Sequence, residues 1–76
     1  MEEIVLEVPA PMSGSILELL VSVGTEVSAG QELIVLESMK MEIPVESPVA
    51  GTVSEILISV EDAVEEGETI LRIEES

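Results

Sequence analysis

Residues 37–42, Glu37-Ser38-Met39-Lys40-Met41-Glu42, hold the chain's most reactive-looking combination: one amine between two thioethers, with an acid on either side. Lys40 is the only lysine in the 76 residues, so apart from the N-terminus it is the sole amine open to acylation. An ammonium on a flexible four-carbon stem suits covalent attachment of a cargo better than it suits packing. Met39 and Met41 read as an exposed recognition surface, because a turn offers thioethers little core to fill. The ordinary alternatives are a solvated surface lysine and two core methionines. The uniqueness of Lys40 and the poor turn chemistry around it weigh against them.

Two strand-like runs, Gln31–Ser38 and Met41–Val45, meet here with almost no room between them. A two-residue loop at Met39-Lys40 would set Ser38 opposite Met41, Glu37 opposite Glu42 and Leu36 opposite Ile43. Such loops favour Asn-Gly or Asp-Gly, since positive φ is costly for Met and Lys. Like charges directly opposed across a strand pair cost about 0.2–1 kcal/mol more. Two local rules are broken at one place, which is where function is expected to override foldability.

The elements that must hold this turn show a repeat. At an offset of 37 residues, without a gap, Pro11 falls on Pro48, Gly14 on Gly51, Glu18 on Glu55, Leu20 on Leu57, Val27 on Val64 and Gly30 on Gly67. Apolar positions follow the same offset: Ile16 with Val53, Leu19 with Ile56, Val21 with Ile58, Leu33 with Ile70, Ile34 with Leu71 and Leu36 with Ile73. Half-repeats of about 8–38 and 45–75 are therefore expected to pack as a two-fold pair sharing one core, within a single domain spanning 1–76. Short runs rich in Val, Ile and Thr, punctuated by Gly, Pro and Ser, predict an all-β chain. Strands are expected near 3–8, 15–22, 32–38, 41–45, 52–59 and 69–74, with smaller ones near 26–28 and 63–65. Leu19, Val21 and Val23 share one parity and Ile16 the other, which a bulge at Leu17-Glu18 reconciles. The mismatched pairs Leu17/Ser54 and Val35/Arg72 point outward. A flattened barrel or small sandwich with an aliphatic core follows.

Composition removes other classes. With no Cys or His, thiolate and imidazole metal ligands, a Cys nucleophile and a Ser-His-Asp triad are absent. No metal site and no catalytic residue is expected. Seventeen Asp and Glu against two Lys and Arg give a formal charge of −15, which disfavours nucleic acid and anionic membrane as partners. A hydrophobic fraction of 46% argues against a disordered acidic tail. No basic leader or long apolar run is visible, so a cytoplasmic location is expected.

The run 37–42 resembles the biotin-attachment signature Ala-Met-Lys-Met of biotinyl domains, with Ser38 where Ala is commoner. Pro11-Met12-Ser13-Gly14, the stretch Val23–Gly30 and the repeat fit the same family. The chain looks especially like the small biotin/lipoyl attachment proteins. The resemblance implies a barrel-sandwich hybrid of two four-stranded antiparallel sheets with the acceptor lysine on an exposed hairpin. It implies that Lys40 bears covalent biotin, that Met39 and Met41 are recognition residues, and that Glu37, Ser38 and Glu42 flank the site. It also implies a non-catalytic, monomeric carrier whose partners are a biotin protein ligase, a biotin carboxylase and a carboxyltransferase or decarboxylase, between which the arm shuttles CO2. The alternatives are lipoate on Lys40, although lipoyl domains usually carry Asp-Lys-Ala; an unmodified module like the hairpin-like domains of membrane-fusion adaptors; and an enzyme using paired carboxylates.

Overall fold

The computed structural model describes residues 4–76. Eight strands follow in order: β1 (Val5–Pro9), β2 (Gly14–Leu19), β3 (Glu26–Val27), β4 (Glu32–Ser38), β5 (Met41–Glu46), β6 (Gly51–Ile56), β7 (Ala63–Val64) and β8 (Thr69–Glu75). They form two four-stranded antiparallel sheets, ordered β1-β8-β6-β3 and β5-β4-β2-β7. The expected all-β, two-sheet architecture is the one observed.

Moving 37 residues along the chain carries β2, β3 and β4 onto β6, β7 and β8 residue for residue, and carries β1 into β5. The same shift turns one sheet order into the other, so the two-fold exchanges the sheets. Each half-repeat gives two strands to each sheet, and neither half can close its own hydrophobic face. The buried side chains repeat in pairs: Val8 with Val45, Ile16 with Val53, Val21 with Ile58, Val27 with Val64, Leu33 with Ile70, Ile34 with Leu71 and Leu36 with Ile73. Burying each contributes roughly 1.5–3 kcal/mol. Ala10 is matched by buried Ser47, whose hydroxyl donates to the Val49 carbonyl at 2.5 Å and so is not left unpaired.

The bulge lies where the parity change requires it. Pairing of β2 with β4 skips Leu17, and pairing of β6 with β8 skips its counterpart Ser54. Leu17 is exposed, as expected, whereas Val35 and Arg72 are half-buried on the outer faces. Three expectations need correction. The strands near 15–22 and 52–59 end early, at Leu19 and Ile56. Beyond them the chain turns between sheets, so Val21 stays buried but Val23 is 63% exposed instead of pointing inward. The first strand starts at Val5, and the expected residue 3 lies outside the described residues.

The turns after β2 and β6 repeat as well. The Ser22 N–H donates to Thr25 Oγ1 at 3.0 Å, and the equivalent Ser59 N–H donates to Asp62 Oδ2 at 2.8 Å. Edge strands β1 and β5 carry Pro9 and Pro44, which offer no N–H to an incoming strand. Among the described residues no helix is long and apolar enough to cross a membrane.

Candidate functional site: a hairpin tip with one lysine

Among the described residues, β4 and β5 are the only paired strands that are also consecutive in the chain. Their connection is the two-residue turn Met39-Lys40, with Ser38 paired to Met41, Glu37 to Glu42 and Leu36 to Ile43. This is the register expected from the sequence. Met39 at φ 51° and Lys40 at φ 65° are both left-handed, the conformation of a type I′ hairpin turn. The two-fold counterpart of this hairpin is the pairing of β8 with β1, where Val5 faces Glu74. The two-fold places Val5 and Glu74 at the opposite end of the barrel from Lys40.

Met39 is 85% exposed and Met41 61% exposed, and Lys40, Glu37 and Glu42 also face solvent. Among the described residues the salt bridges join Arg72 to Glu7 and Glu55, and Lys40 enters neither. The Glu55 and Glu7 carboxylates, Glu55 foremost through its hydrogen bond, hold the Arg72 guanidinium above its ordinary pKa. Arg72 is thereby committed to the outer face of the sheet β1-β8-β6-β3, leaving Lys40 as the cation of the hairpin. An unencumbered amine on an extended stem can reach into another protein's active site, and the two thioethers beside it offer apolar contact without bulk.

Ser38 differs from its neighbours. It is only 8% exposed and sits at the base of the turn, beside Gly14 of β2. A shallow hollow beside the tip is lined by Ser13, Gly14, Ser15, Glu37, Ser38, Met39 and Lys40. Ser13 Oγ accepts the Glu66 N–H at 3.2 Å, tying the loop before β2 to the loop after β7. Sequence reasoning did not assign Ser13, Gly14 or Ser15 to the site. Pairing of Gly14 with Gly51 in the repeat was the available signal, but nothing local reveals what either glycine touches. No group of three or more Asp or Glu positioned to hold a metal occurs among the described residues.

Residues 6–73 match the family described as "Biotin-requiring enzyme". The biotin carboxyl carrier protein of Streptococcus mutans is 62% identical over 34 residues, 45% of this chain and 26% of that protein. The methylmalonyl-CoA carboxyltransferase 1.3S subunit of Propionibacterium freudenreichii subsp. shermanii is 53% identical over 36 residues, 47% of this chain and 29% of that subunit. The matched stretch is thus little more than a quarter of either relative. Among solved structures, a single-chain, multi-domain long-chain acyl-CoA carboxylase superposes with a TM-score of 0.90 at 26% identity, covering 95% of this chain and 7% of that one. The urea carboxylase of Kluyveromyces lactis gives 0.88 at 29% identity, covering 96% and 6%. With the family match spanning nearly every strand and the fold shared with parts of two carboxylases, the chain belongs to the biotin-requiring enzyme family, as a biotinyl/lipoyl-type domain.

Proposed function

We propose that Lys40 is the covalent attachment point for biotin and that the domain is the non-catalytic carrier of a biotin-dependent carboxylase or decarboxylase system. The observation that carries this reading is the chain's single lysine, exposed on a two-residue hairpin turn between two exposed methionines. The residues fit the group: an amide needs a primary amine free of competing partners, and Nζ meets that need. In attachment, the Nζ–carbon bond forms as an activated biotin carboxyl loses its leaving group and the amine loses a proton. When bound, biotin supplies a ring that takes up and gives back CO2.

The remaining work is mechanical and falls to this chain. Lys40 holds the cargo clear of the barrel on a stem that, with an acyl chain, spans on the order of 10–15 Å. Tethering raises the cargo's effective concentration at each partner. Met39 and Met41 present the contact surface, with Glu37 and Glu42 flanking it and Ser38 supporting the turn. A biotin protein ligase acts on Lys40, and a biotin carboxylase and a carboxyltransferase or decarboxylase are the partners between which the arm moves, in the cytoplasm.

The test is co-expression with a biotin protein ligase, read by streptavidin gel shift and intact mass. The wild type is expected to gain one biotin and Lys40→Arg none. A bare wild type, or a wild type that gains lipoate with a lipoate ligase but no biotin with the biotin ligase, overturns the assignment.

A further inference from the structure

Gly14 lies one strand away from the hairpin, and its φ falls outside the left-handed region. Any residue could adopt that backbone, so what matters is the missing side chain. A methyl group there would overlap the Glu37 carbonyl oxygen, lie 3.1 Å from the Glu37 carbonyl carbon and approach Ser38 Cβ to 3.2 Å. Two of these three atoms are main chain and cannot swing aside as the end of a long side chain can. The Cβ would have to push the β4 backbone at Glu37 and Ser38, the two residues leading into Met39-Lys40.

The push would be transmitted to the lysine. β5 is the sheet edge, so the β4–β5 hairpin has a sheet neighbour on the β2 side only. β2 is itself held from behind, with Gly14 paired to Val64 and Ser15 to Ala63 of β7. Among the described residues no main-chain hydrogen bond from another element reaches Met39 or Lys40. The direction of the tip is therefore set by how closely β2 approaches β4. We propose that Gly14 is a positioning residue for the modification of Lys40, its bare Cα fixing the stance of the hairpin that a modifying enzyme must recognise. This inference rests on the reading of Lys40 as the attachment point.

The two-fold supplies an internal control. Gly51 holds the same place in β6, with Gly51 paired to Val27 and Thr52 to Glu26 of β3 as Gly14 is to Val64 and Ser15 to Ala63 of β7. A methyl group at Gly51 would overlap the Glu74 carbonyl oxygen, with the Glu74 carbonyl carbon at 3.0 Å and Ile73 Cγ2 at 2.9 Å. The main-chain crowding is comparable, and Gly51, the more buried of the two, also meets a core side chain where Gly14 meets Ser38 Cβ. What differs is the destination of the displaced strand: β4 leads into Lys40 and β8 leads to the C-terminus. A role confined to packing affects both variants alike, whereas a positioning role affects Gly14 alone.

The experiment measures ligase-catalysed biotinylation of wild type, Gly14→Ala, Gly51→Ala and Ser38→Val, at a temperature where circular dichroism shows each to be folded, with amide hydrogen exchange of residues 37–42 alongside. Ser38→Val crowds the same contact from the β4 side and carries the test if Gly14→Ala does not fold. A misplacement of about 1 Å can cost on the order of 100-fold in rate. Gly14→Ala is expected to lower kcat about 10- to 100-fold and to speed exchange at the hairpin, with Ser38→Val moving in the same direction. Gly51→Ala is expected to stay within about twofold of wild type, since distant sites act independently. Loss of folded substrate alone raises the apparent KM and leaves kcat intact, so the kcat effect separates stance from stability. Equal losses in Gly14→Ala and Gly51→Ala, or full-rate modification with unchanged hairpin exchange in Gly14→Ala and Ser38→Val, overturn the proposal. A wild type that takes no biotin sinks the reading of Lys40 instead. Hairpin exchange then still decides the positioning claim: faster in Gly14→Ala but not in Gly51→Ala supports it, and no such difference overturns it.

Discussion

At the scale of single residues, the tip trades stability for access. Met39 and Lys40 occupy left-handed backbone that costs L-residues roughly 1–2 kcal/mol each. Glu37 and Glu42 face each other beneath them. Replacing Met39-Lys40 with Asn-Gly should relieve the turn and raise unfolding stability by about 1–2 kcal/mol, as measured in urea. The same variant should show no streptavidin shift. The register of this hairpin was readable in advance because it depends on residues adjacent in the chain, alternating in side and closed by a two-residue loop. The burial of Ser38 and the service of Gly14 were not readable, because both depend on a strand that arrives from more than twenty residues upstream.

At the scale of elements, the two-fold makes equivalent positions carry equal weight. Leu33 and Ile70 are both fully buried, at the second residue of β4 and β8. Each strand is central in its own sheet. Leu33→Ala and Ile70→Ala should each cost about 2–5 kcal/mol by chemical denaturation, with similar values for the two. A large disparity would mean that the halves contribute unequally to the core. The bulge at Leu17 was legible as a change of parity in the apolar pattern, and its counterpart at Ser54 follows from the repeat. The early ends of β2 and β6 were not, because Val21 and Val23 continue the alternation while the backbone has already left the sheet. Periodicity reports which side a residue would face in a strand, and only the pairing partners decide whether a strand is there.

For the whole molecule the governing quantity is charge. A formal −15 on 76 residues makes the compact state repel itself. Raising ionic strength from a few millimolar to physiological should raise the melting temperature, because the screening length falls to about 8 Å. A flat or falling trend in thermal melts would refute this. Amide formation on Lys40 would take the formal charge to −16, leaving Arg72, held between Glu7 and Glu55, as the remaining basic side chain. A partner with basic residues around its entrance would then meet the domain faster at low salt.

The sequence alone determined the repeat, most of the aliphatic core positions, the hairpin register and the place of Lys40 at its tip. Each of these follows from side-chain type at fixed separation along the chain. Only the tertiary structure decided that the half-repeats interleave, each feeding both sheets. It also decided that Val23 lies outside the core and that Gly14 abuts the base of the hairpin. Those outcomes depend on which faces are buried together and how closely two distant backbones approach, and neither is a property of any local stretch of residues.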